Sequence, residues 1–268
     1  MNRIDEQFAA GVQPPWVISA VGTGRVVVRE HNLHLMIPPT PAQTYSNAQI
    51  TDYTTAGADA FRFGWRPPLR LTVTAYATHP AADLRGTAGF GFWNHPFSPD
   101  VRRLPRLPQA IWFFFGAPPS NMALAQGVPG AGWKAATIDA TQPRALALIP
   151  AAPFAVALMN LPALERRLWP PIQRALRINE HLIDGALLAE RHTYTLDWRM
   201  DRAAFAIDGV PIFTPRSAPR GPCGFIAWLD TQFAIVTPRG RIGFGLVPVT
   251  HEQTLILERI TIEPGQTG

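Results

Sequence analysis

The stretch HTYTLDWRMDRAAFAIDGVPIFT, residues 192–214, contains three short runs that look like β-strands. Along the first run, apolar and polar residues alternate, as they do in a strand with one face in a core and one face in solvent. The dipeptide Asp208-Gly209 separates the second run from the third and is typical of a two-residue hairpin turn. This stretch therefore predicts consecutive antiparallel strands.

Similar short runs occur on both sides of this stretch. Residues 69–78 (LRLTVTAYAT) alternate like a half-buried strand. Residues 86–93 (GTAGFGFW) and 110–115 (AIWFFF) are apolar on both faces, so we expect both faces to be covered. The chain's 28 prolines and 21 glycines punctuate these runs as turns. Short strands with turn signals between them predict an all-β sandwich or barrel.

One segment breaks the strand pattern. Residues 151–178 are rich in alanine, leucine and arginine, and Leu164, Leu168, Ile172 and Leu176 recur every four residues, which predicts a helical insertion. The pair Pro170-Pro171 is expected to kink or split the helix. Three roles stay open for this insertion: a purely structural helix packed on the sandwich, a lid over a cleft, or a basic helix on a membrane surface.

Composition bounds the class of protein. The chain has 268 residues, 47% of them apolar and 16% charged, enough apolar material for one large core, and we predict a single domain over residues 1–268. The net charge of +5 comes from arginine, because Lys134 is the only lysine. The arginines are scattered except for Arg102, Arg103 and Arg106 and a run within residues 166–177, so no nucleic-acid partner is predicted. Cys223 stands alone, which excludes an internal disulfide.

The N-terminal stretch MNRIDEQFAAGVQPPW lacks the apolar core of a secretory signal, and no run approaches the length of a membrane span. The sequence therefore predicts a cytoplasmic protein without a transmembrane segment.

In order along the chain, the strand motifs resemble the concanavalin A-like lectin/glucanase superfamily, most closely glycoside hydrolase family 16. The motifs that carry the resemblance are YSNAQITDY (45–53), FGWRPPLRLTVTAYATHP (63–80), LRGTAGFGFWN (84–94), the stretch 192–214 and GPCGFIAWLD (221–230). The resemblance implies a jelly-roll β-sandwich of two curved antiparallel sheets. It also implies a concave groove that binds an oligosaccharide.

The chain departs from that family at its catalytic strand. The family has Glu-x-Asp-x-Glu there, which places carboxylates on one face for a retaining hydrolysis. The corresponding segment here is QAIWFFFG, residues 109–116, and an alignment on its glycine sets Gln109, Ile111 and Phe113 in the carboxylate positions. None of these three side chains ionises. The resemblance and the departure together predict a non-hydrolytic, glucanase-like domain with no catalytic residues assigned.

The predicted ligand contacts lie on three strands. Trp93, Asn94 and His95 end one strand, and Trp228, Asp230 and Gln232 share a face if their strand is continuous. With Gln109, Ile111 and Phe113, these residues would line a groove for a glycan or another small ligand with apolar faces.

No cofactor is predicted from the residues. The seven histidines lack a His-Glu-x-x-His spacing, and so no transition-metal site is expected. The resemblance leaves a structural calcium ion open, with oxygen ligands from loops.

Two other functions stay open. The first is an enzyme with an atypical site, either a glycoside hydrolase with carboxylates relocated among Asp139, Glu165, Glu180, Asp184 and Asp230, or an isomerase or cyclase with an apolar pocket. The second is an interaction module that uses the helical insertion as its contact surface.

Overall fold

The computed structural model describes residues 3–96 and 106–265, so Arg102 and Arg103 lie outside the described residues. Its strands are β1 (Ile4–Glu6), β2 (Val17–Val21), β3 (Arg25–Arg29), β4 (Asn32–Ile37), β5 (Asn47–Thr51), β6 (Leu69–Ala77), β7 (Thr87–Trp93), β8 (Gln109–Gly116), β9 (Gly132–Asp139), β10 (Asn179–Ile183), β11 (His192–Trp198), β12 (Ala203–Ile207), β13 (Val210–Phe213), β14 (Gly224–Asp230), β15 (Gln232–Val236), β16 (Ile242–Leu246) and β17 (Gln253–Pro264). Its α-helices are α1 (Pro143–Leu146), α2 (Ala152–Met159) and α3 (Pro162–Ala175).

The strands form two large antiparallel sheets. Sheet A has the order β13-β12-β11-β6-β17-β4-β3, with β1 also paired to β17, and sheet B has the order β10-β9-β8-β7-β14-β5-β2. Strands β15 and β16 make a separate two-stranded hairpin. Neighbours in each sheet are often distant in sequence, as in a jelly roll, and the predicted all-β sandwich with a helical insertion is confirmed.

The main core lies between the two sheets and is rich in aromatic rings. Phe113 of β8 is 1% exposed, and its ring centroid lies 5.0 Å from that of Tyr194 and 5.2 Å from that of Phe205. Phe90 of β7 contacts both Phe113 and Tyr194. Large rings from both sheets thus pack against one another. Each ring is buried and also makes favourable contacts with other aromatic rings.

The phase of β8, meaning which of its alternate residues face the core, corrects one prediction. Ile111 and Phe113 were expected in a groove, but both are buried in the core between the sheets. Successive side chains of a strand point to opposite faces, so the outer face of β8 carries Ala110, Trp112 and Phe114 instead. Because β8 is apolar on both faces, its sequence pattern does not reveal this phase, and a shift by one residue exchanges the two faces.

The helical insertion is confirmed, with α1 just before it. Pro170 and Pro171 lie within α3, which continues through them, so of the predicted kink or split the split is wrong. Because proline has no N–H, the backbone carbonyls of Arg166 and Arg167 receive no helical hydrogen bond from Pro170 and Pro171. Both arginines are exposed residues, so water can hydrogen-bond to these carbonyls. The helical structure of the insertion is interrupted instead at residues 160–161, between α2 and α3. No helix in the described part of the chain is long and apolar enough to span a membrane.

A buried ion pair fixes the segment of residues 122–128, called here the cover segment, against the outer face of sheet B. Lys134 of β9 is 1% exposed; its Nζ donates to the carbonyl of Met122 at 3.0 Å and lies 3.6 Å from Oε1 of Glu180 on β10. The other Glu180 oxygen accepts a hydrogen bond from the backbone N–H of Ala125 at 2.7 Å. Burial lowers the pKa of Lys134 and raises the pKa of Glu180, while the charge of each opposes the shift of the other.

The insertion packs over the same part of sheet B. Met159 of α2, Trp169 of α3 and Ala125 of the cover segment form a second buried cluster. The Trp169 Nε1–H also donates to the carbonyl of Leu124 at 2.7 Å. The insertion and the cover segment therefore cover β9 and β10 together.

The phase of β8 predicts the cost of a core deletion. We expect Phe113→Ala to lower the free energy of unfolding by about 3–5 kcal/mol, because it leaves a cavity between the sheets. The matched control is Phe154→Ala on α2, where the ring is 75% exposed and its removal should change stability by less than about 0.5 kcal/mol. Urea denaturation of both variants checks this, and equal losses would contradict the assigned phase.

The ion pair predicts a non-additive pair of substitutions. We expect Lys134→Met to cost about 3–5 kcal/mol, since it leaves the Glu180 carboxylate buried without a countercharge. The double variant Lys134→Met/Glu180→Gln should recover most of that loss, because no uncompensated charge remains. Urea unfolding of the two single variants and the double variant gives the coupling energy. A strictly additive cycle would show that the two groups act independently.

Candidate functional site

Four aromatic side chains form a continuous layer on the outer face of β8, β7 and β14, which we call the aromatic shelf: Trp93, Trp112, Phe114 and Trp228. The ring centroid of Trp112 lies 5.9 Å from Trp93, 5.6 Å from Phe114 and 5.3 Å from Trp228. Trp93 and Trp112 are partly exposed, whereas Phe114 and Trp228 are buried. This layer lies on β8, the strand that the sequence resemblance aligned with the family's catalytic strand.

Two glycines of β7 make room for the shelf. Gly89 pairs with Phe114 on one side and Trp228 on the other, and Gly91 pairs with Trp112 and Ile226. A Cβ at Gly89 would lie 2.8 Å from Cη2 of Trp228, and one at Gly91 would lie 2.6 Å from Cβ of Trp112. The GTAGFGFW motif therefore supplies aromatic residues to the core and leaves the outer face of β7 open for the neighbouring indoles.

Asp230 supports the shelf from one end. Its Oδ1 accepts hydrogen bonds from the Thr87 hydroxyl (2.8 Å), the Thr87 N–H (3.2 Å) and the Gln232 N–H (3.1 Å). The Thr87 hydroxyl in turn accepts from Nε1 of Trp228 at 3.0 Å. Asp230 is 7% exposed, and burial raises its pKa to about 7. The predicted acid beside Trp228 is therefore a group that orients the indole through Thr87.

A hydrogen-bonded chain closes the other end of the shelf. Nε1 of Trp93 donates to the Tyr53 hydroxyl at 2.5 Å, and that hydroxyl lies 3.1 Å from Nδ1 of His95. The Tyr53 hydroxyl thus links the Trp93 indole to the His95 ring. Burial, together with the nearby charge of Arg106, lowers the pKa of His95 to about 4, which keeps the imidazole neutral.

The remaining predicted residues hold the framework. Asn94 and Gln109 are buried, and Asn94 Oδ1 accepts from the Gln109 N–H at 2.9 Å, which joins the two ends of the 95–108 segment. Gln109 Oε1 also accepts from the Gly221 N–H. Gln232 does not continue the face of Trp228, because β14 ends at Asp230 and Gln232 begins β15 in the separate hairpin.

A polar margin that the sequence did not reveal lies beside the shelf. On β5, Gln49 pairs with Trp228 and Asn47 pairs with Asp230, so both amides share the outer face. On β2, Ser19 pairs with Gln49 and extends the margin. Gln49 Oε1 accepts from Asn47 at 3.5 Å, and within the described residues no hydrogen bond engages its Nε2. An aromatic floor with amides along one side can both stack on a ligand and donate hydrogen bonds to it.

The acids of the outer face are widely separated. Among the described residues of sheet B, only Asp230 and Glu180 present carboxyl groups on this face. They lie four strands apart and several residues out of register, which amounts to roughly 20 Å at ordinary sheet spacings. A glycosidase pair needs carboxyl groups about 5–9.5 Å apart. Glu180 is also held by Lys134, so these two groups do not form such a pair.

The other acids that the sequence offered for a relocated site are also engaged. Asp139 accepts from Thr141 and Gln142, and Asp184 accepts from the Ala186 N–H. Glu165 pairs with Arg239 at 2.6 Å. This last pair lines a cavity of about 420 Å³ between α3, the cover segment and the hairpin turn, whose lining includes none of the nine predicted contact residues.

The buried carboxyl of Asp230 predicts a specific pH dependence. Its pKa of about 7 in the folded chain exceeds the ordinary aspartate value of about 4. Between these values the folded state binds more protons than the unfolded state, so this group's contribution to stability falls as pH rises from about 4 to about 7. Asp230→Asn keeps the accepting oxygen without the ionisation. We expect the stability of the variant relative to the parent chain to rise by at most about 4 kcal/mol across that window and to stay flat above it.

Urea unfolding of both proteins at a series of pH values measures this difference. The contributions of other groups with shifted pKa values, such as His95 and the buried Asp52, whose pKa burial raises to about 6, cancel in it. A difference independent of pH would show that Asp230 is ionised throughout.

Comparisons with known proteins extend the description of the fold. No protein-family model matches the sequence, and a search of curated proteins finds no match. Among solved structures, a GlcNAcα1-4Gal-releasing endo-β-galactosidase from Clostridium perfringens matches with a TM-score of 0.55 and 11% identity over 97% of this chain. This chain spans 60% of the length of that structure.

Two further structures match along most of both chains. A Crh5 transglycosylase in complex with NAG has a TM-score of 0.51 and 13% identity, over 98% of this chain and 84% of the other. A structure described with endo-acting O-glycanases of the human gut microbiota has a TM-score of 0.50 and 12% identity, over 98% of this chain and 99% of the other. Identities this low establish the fold alone. The chain thus shares the β-sandwich fold of these three structures.

Proposed function

We propose that this chain binds a glycan on the outer face of sheet B and does not hydrolyse it. The observation that carries the proposal is the outer face of β8, which bears Ala110, Trp112 and Phe114, three side chains that cannot ionise. Within the described residues, this part of the floor offers a broad aromatic surface, and the one carboxyl group beside it, that of Asp230, is hydrogen-bonded to Thr87 and Gln232. Binding without cleavage is the activity that this chemistry supports.

The shelf suits the apolar faces of a sugar ring. Trp93 and Trp112 are the partly exposed members and would make the stacking contact, while the buried Phe114 and Trp228 hold them in place. A pyranose also carries hydroxyls around its rim. Gln49, beside Trp228, is placed to donate its free amide hydrogens to them. Stacking at the centre and hydrogen bonds at one edge are the combination that a saccharide needs.

The solved structures of similar fold agree with a carbohydrate-related role. Three matching structures with TM-scores of 0.50 or more are described with an endo-β-galactosidase, a transglycosylase in complex with NAG, and O-glycanases. Because function belongs to the site and not to the fold, these names supply a panel of glycans to test rather than an activity. Galactosides and GlcNAc oligomers therefore belong in that panel beside β-glucans.

The other functions have weaker support. A hydrolase with relocated acids would need a carboxylate pair at the shelf, and the two acids on that face lie roughly 20 Å apart. An isomerase or cyclase could use the cavity of about 420 Å³ near Trp169, but its one acidic group, Glu165, is paired with Arg239. The structural calcium implied by the resemblance stays a prediction and has no part in this proposal.

The proposal predicts that Trp112 carries a large share of glycan affinity. We expect Trp112→Ala to weaken binding of the best oligosaccharide by about tenfold or more, because one stacked ring contributes about 1.5–3 kcal/mol. The matched control is Tyr76→Ala, a partly exposed aromatic residue on the outer face of sheet A. Calorimetric titration with β-glucan, galactoside and GlcNAc oligosaccharides measures both variants, after a thermal-shift screen has selected the ligand.

Reducing-sugar release by the unmodified chain is assayed in parallel with the titrations. The proposal expects binding without release. Release that depends on a carboxylate would replace it with a relocated hydrolase. Binding of apolar metabolites alone, still lost in Trp112→Ala, would keep the site and reject the glycan.

A further inference from the structure

The insertion and the β15–β16 hairpin share a surface that the proposed glycan site does not use. Phe154 on α2 is 75% exposed and Ile242 on β16 is 73% exposed, which makes them the two most exposed large apolar side chains of the described residues. Ile149, Leu158 and Leu161 are 52%, 48% and 59% exposed on the insertion. Scattered apolar residues are ordinary on a protein surface, but a group concentrated on two adjacent elements marks a contact site.

The outward face of α2 has no polar residue at all. The helix reads APFAVALM; Ala155, Val156 and Met159 pack inward against α3 and the cover segment. Phe154 and Leu158 lie four residues apart, so they share the opposite, exposed side. A solvent-facing helix normally carries charged residues there, and their absence indicates that this side meets an apolar environment.

The turn of the β15–β16 hairpin packs against α2 and α3, so the apolar residues of the hairpin and of the helices lie on adjacent elements. Arg239 in the turn pairs with Glu165 of α3 at 2.6 Å. Gly240 packs so closely on Val156 of α2 that a Cβ there would lie 2.3 Å from its Cγ1. Ile242 follows directly on this contact. We call these elements together the insertion–hairpin surface.

Positive charge concentrates on the same surface. Residues 143–178 contain five arginines and one glutamate, and residues 232–246 contain two arginines and no acid. Together they carry a net charge of +6, against +5 for the whole chain. One of these charges, on Arg177, lies 4.0 Å from the Asp139 carboxylate, which is outside the two ranges. Arg144, Arg166, Arg167 and Arg241 are exposed and form no ion pair with any described residue.

We propose that the insertion–hairpin surface binds an anionic lipid bilayer, with Phe154, Leu158 and Ile242 entering the headgroup region and the unpaired arginines contacting lipid phosphates. Exposed apolar side chains combined with excess arginine are the features of an interfacial membrane anchor. The charge selects the lipid bilayer over a protein groove as the partner, because an anionic membrane offers many negative charges next to an apolar layer. The chain would lie on the membrane without spanning it.

Flotation with vesicles tests this proposal. The full chain is mixed with vesicles of phosphatidylcholine alone, or with about a third phosphatidylglycerol. We expect binding to the anionic vesicles only, and we expect that binding to weaken strongly as the salt rises from about 0.1 M to about 1 M. Phe154→Ser and Ile242→Ser should each weaken binding by about tenfold. Arg166→Gln and Arg167→Gln should each weaken it by about fivefold.

Matched controls use comparable residues on sheet A. Met200→Ser and Val210→Ser replace side chains that are 58% and 63% exposed, and Arg199→Gln with Arg202→Gln removes two exposed arginines. These variants should float like the unmodified chain. Equal loss in the controls, or no binding to anionic vesicles, would overturn the proposal.

Sedimentation equilibrium without lipid tests the alternative occupant of the surface. A dimer of the unmodified chain that Phe154→Ser dissociates would assign the surface to a second copy of the chain and overturn the membrane proposal. Glycan affinity measured on Phe154→Ser should be unchanged, which separates this proposal from the one for the aromatic shelf.

Discussion

The central strand β8 of sheet B carries apolar side chains on both faces, and both of its faces therefore need a cover. The inner face packs on sheet A through interlocked aromatic rings such as Phe90 and Phe113. The outer face is divided: over β9 and β10 it is sealed by the cover segment and the helical insertion, whereas over β8, β7 and β14 it carries the aromatic shelf. The candidate binding site is thus the part of the outer face that the rest of the chain leaves partly open.

The sequence predicted the architecture because strands buried on one face alternate clearly. The strands β6, β11 and β12 follow that pattern, and their runs lie close to the observed bounds. The faces of β8 could not be predicted in the same way, because an apolar residue at every position gives no phase. A signal was nevertheless present in Gly89 and Gly91, two residues apart on the neighbouring strand. Glycines at that spacing mark the face on which bulky neighbours need room, and that face carries Trp112 and Trp228.

Two further features depended on contacts between distant segments. Strand β9, GWKAATID, contains a lysine that suggests exposure, yet Lys134 is buried by a partner, Glu180, that lies far along the chain. The polar margin of Asn47 and Gln49 belongs to the site only because β5 pairs with β14. Burial and pKa alone would suggest the wrong role for Asp230. This residue is buried and has a raised pKa, as catalytic acids often do, but its carboxylate accepts hydrogen bonds from Thr87 and Gln232.

The burial of Lys134 has a consequence for chemical labelling. Lys134 is the chain's only lysine, so its one ε-amine is buried beneath the cover segment. Acylating reagents and lysine-modifying enzymes can reach it only when residues 122–128 lift away from β9. The rate of acylation at this one position, followed by mass spectrometry, therefore reports how often the cover segment opens, and it needs no introduced probe.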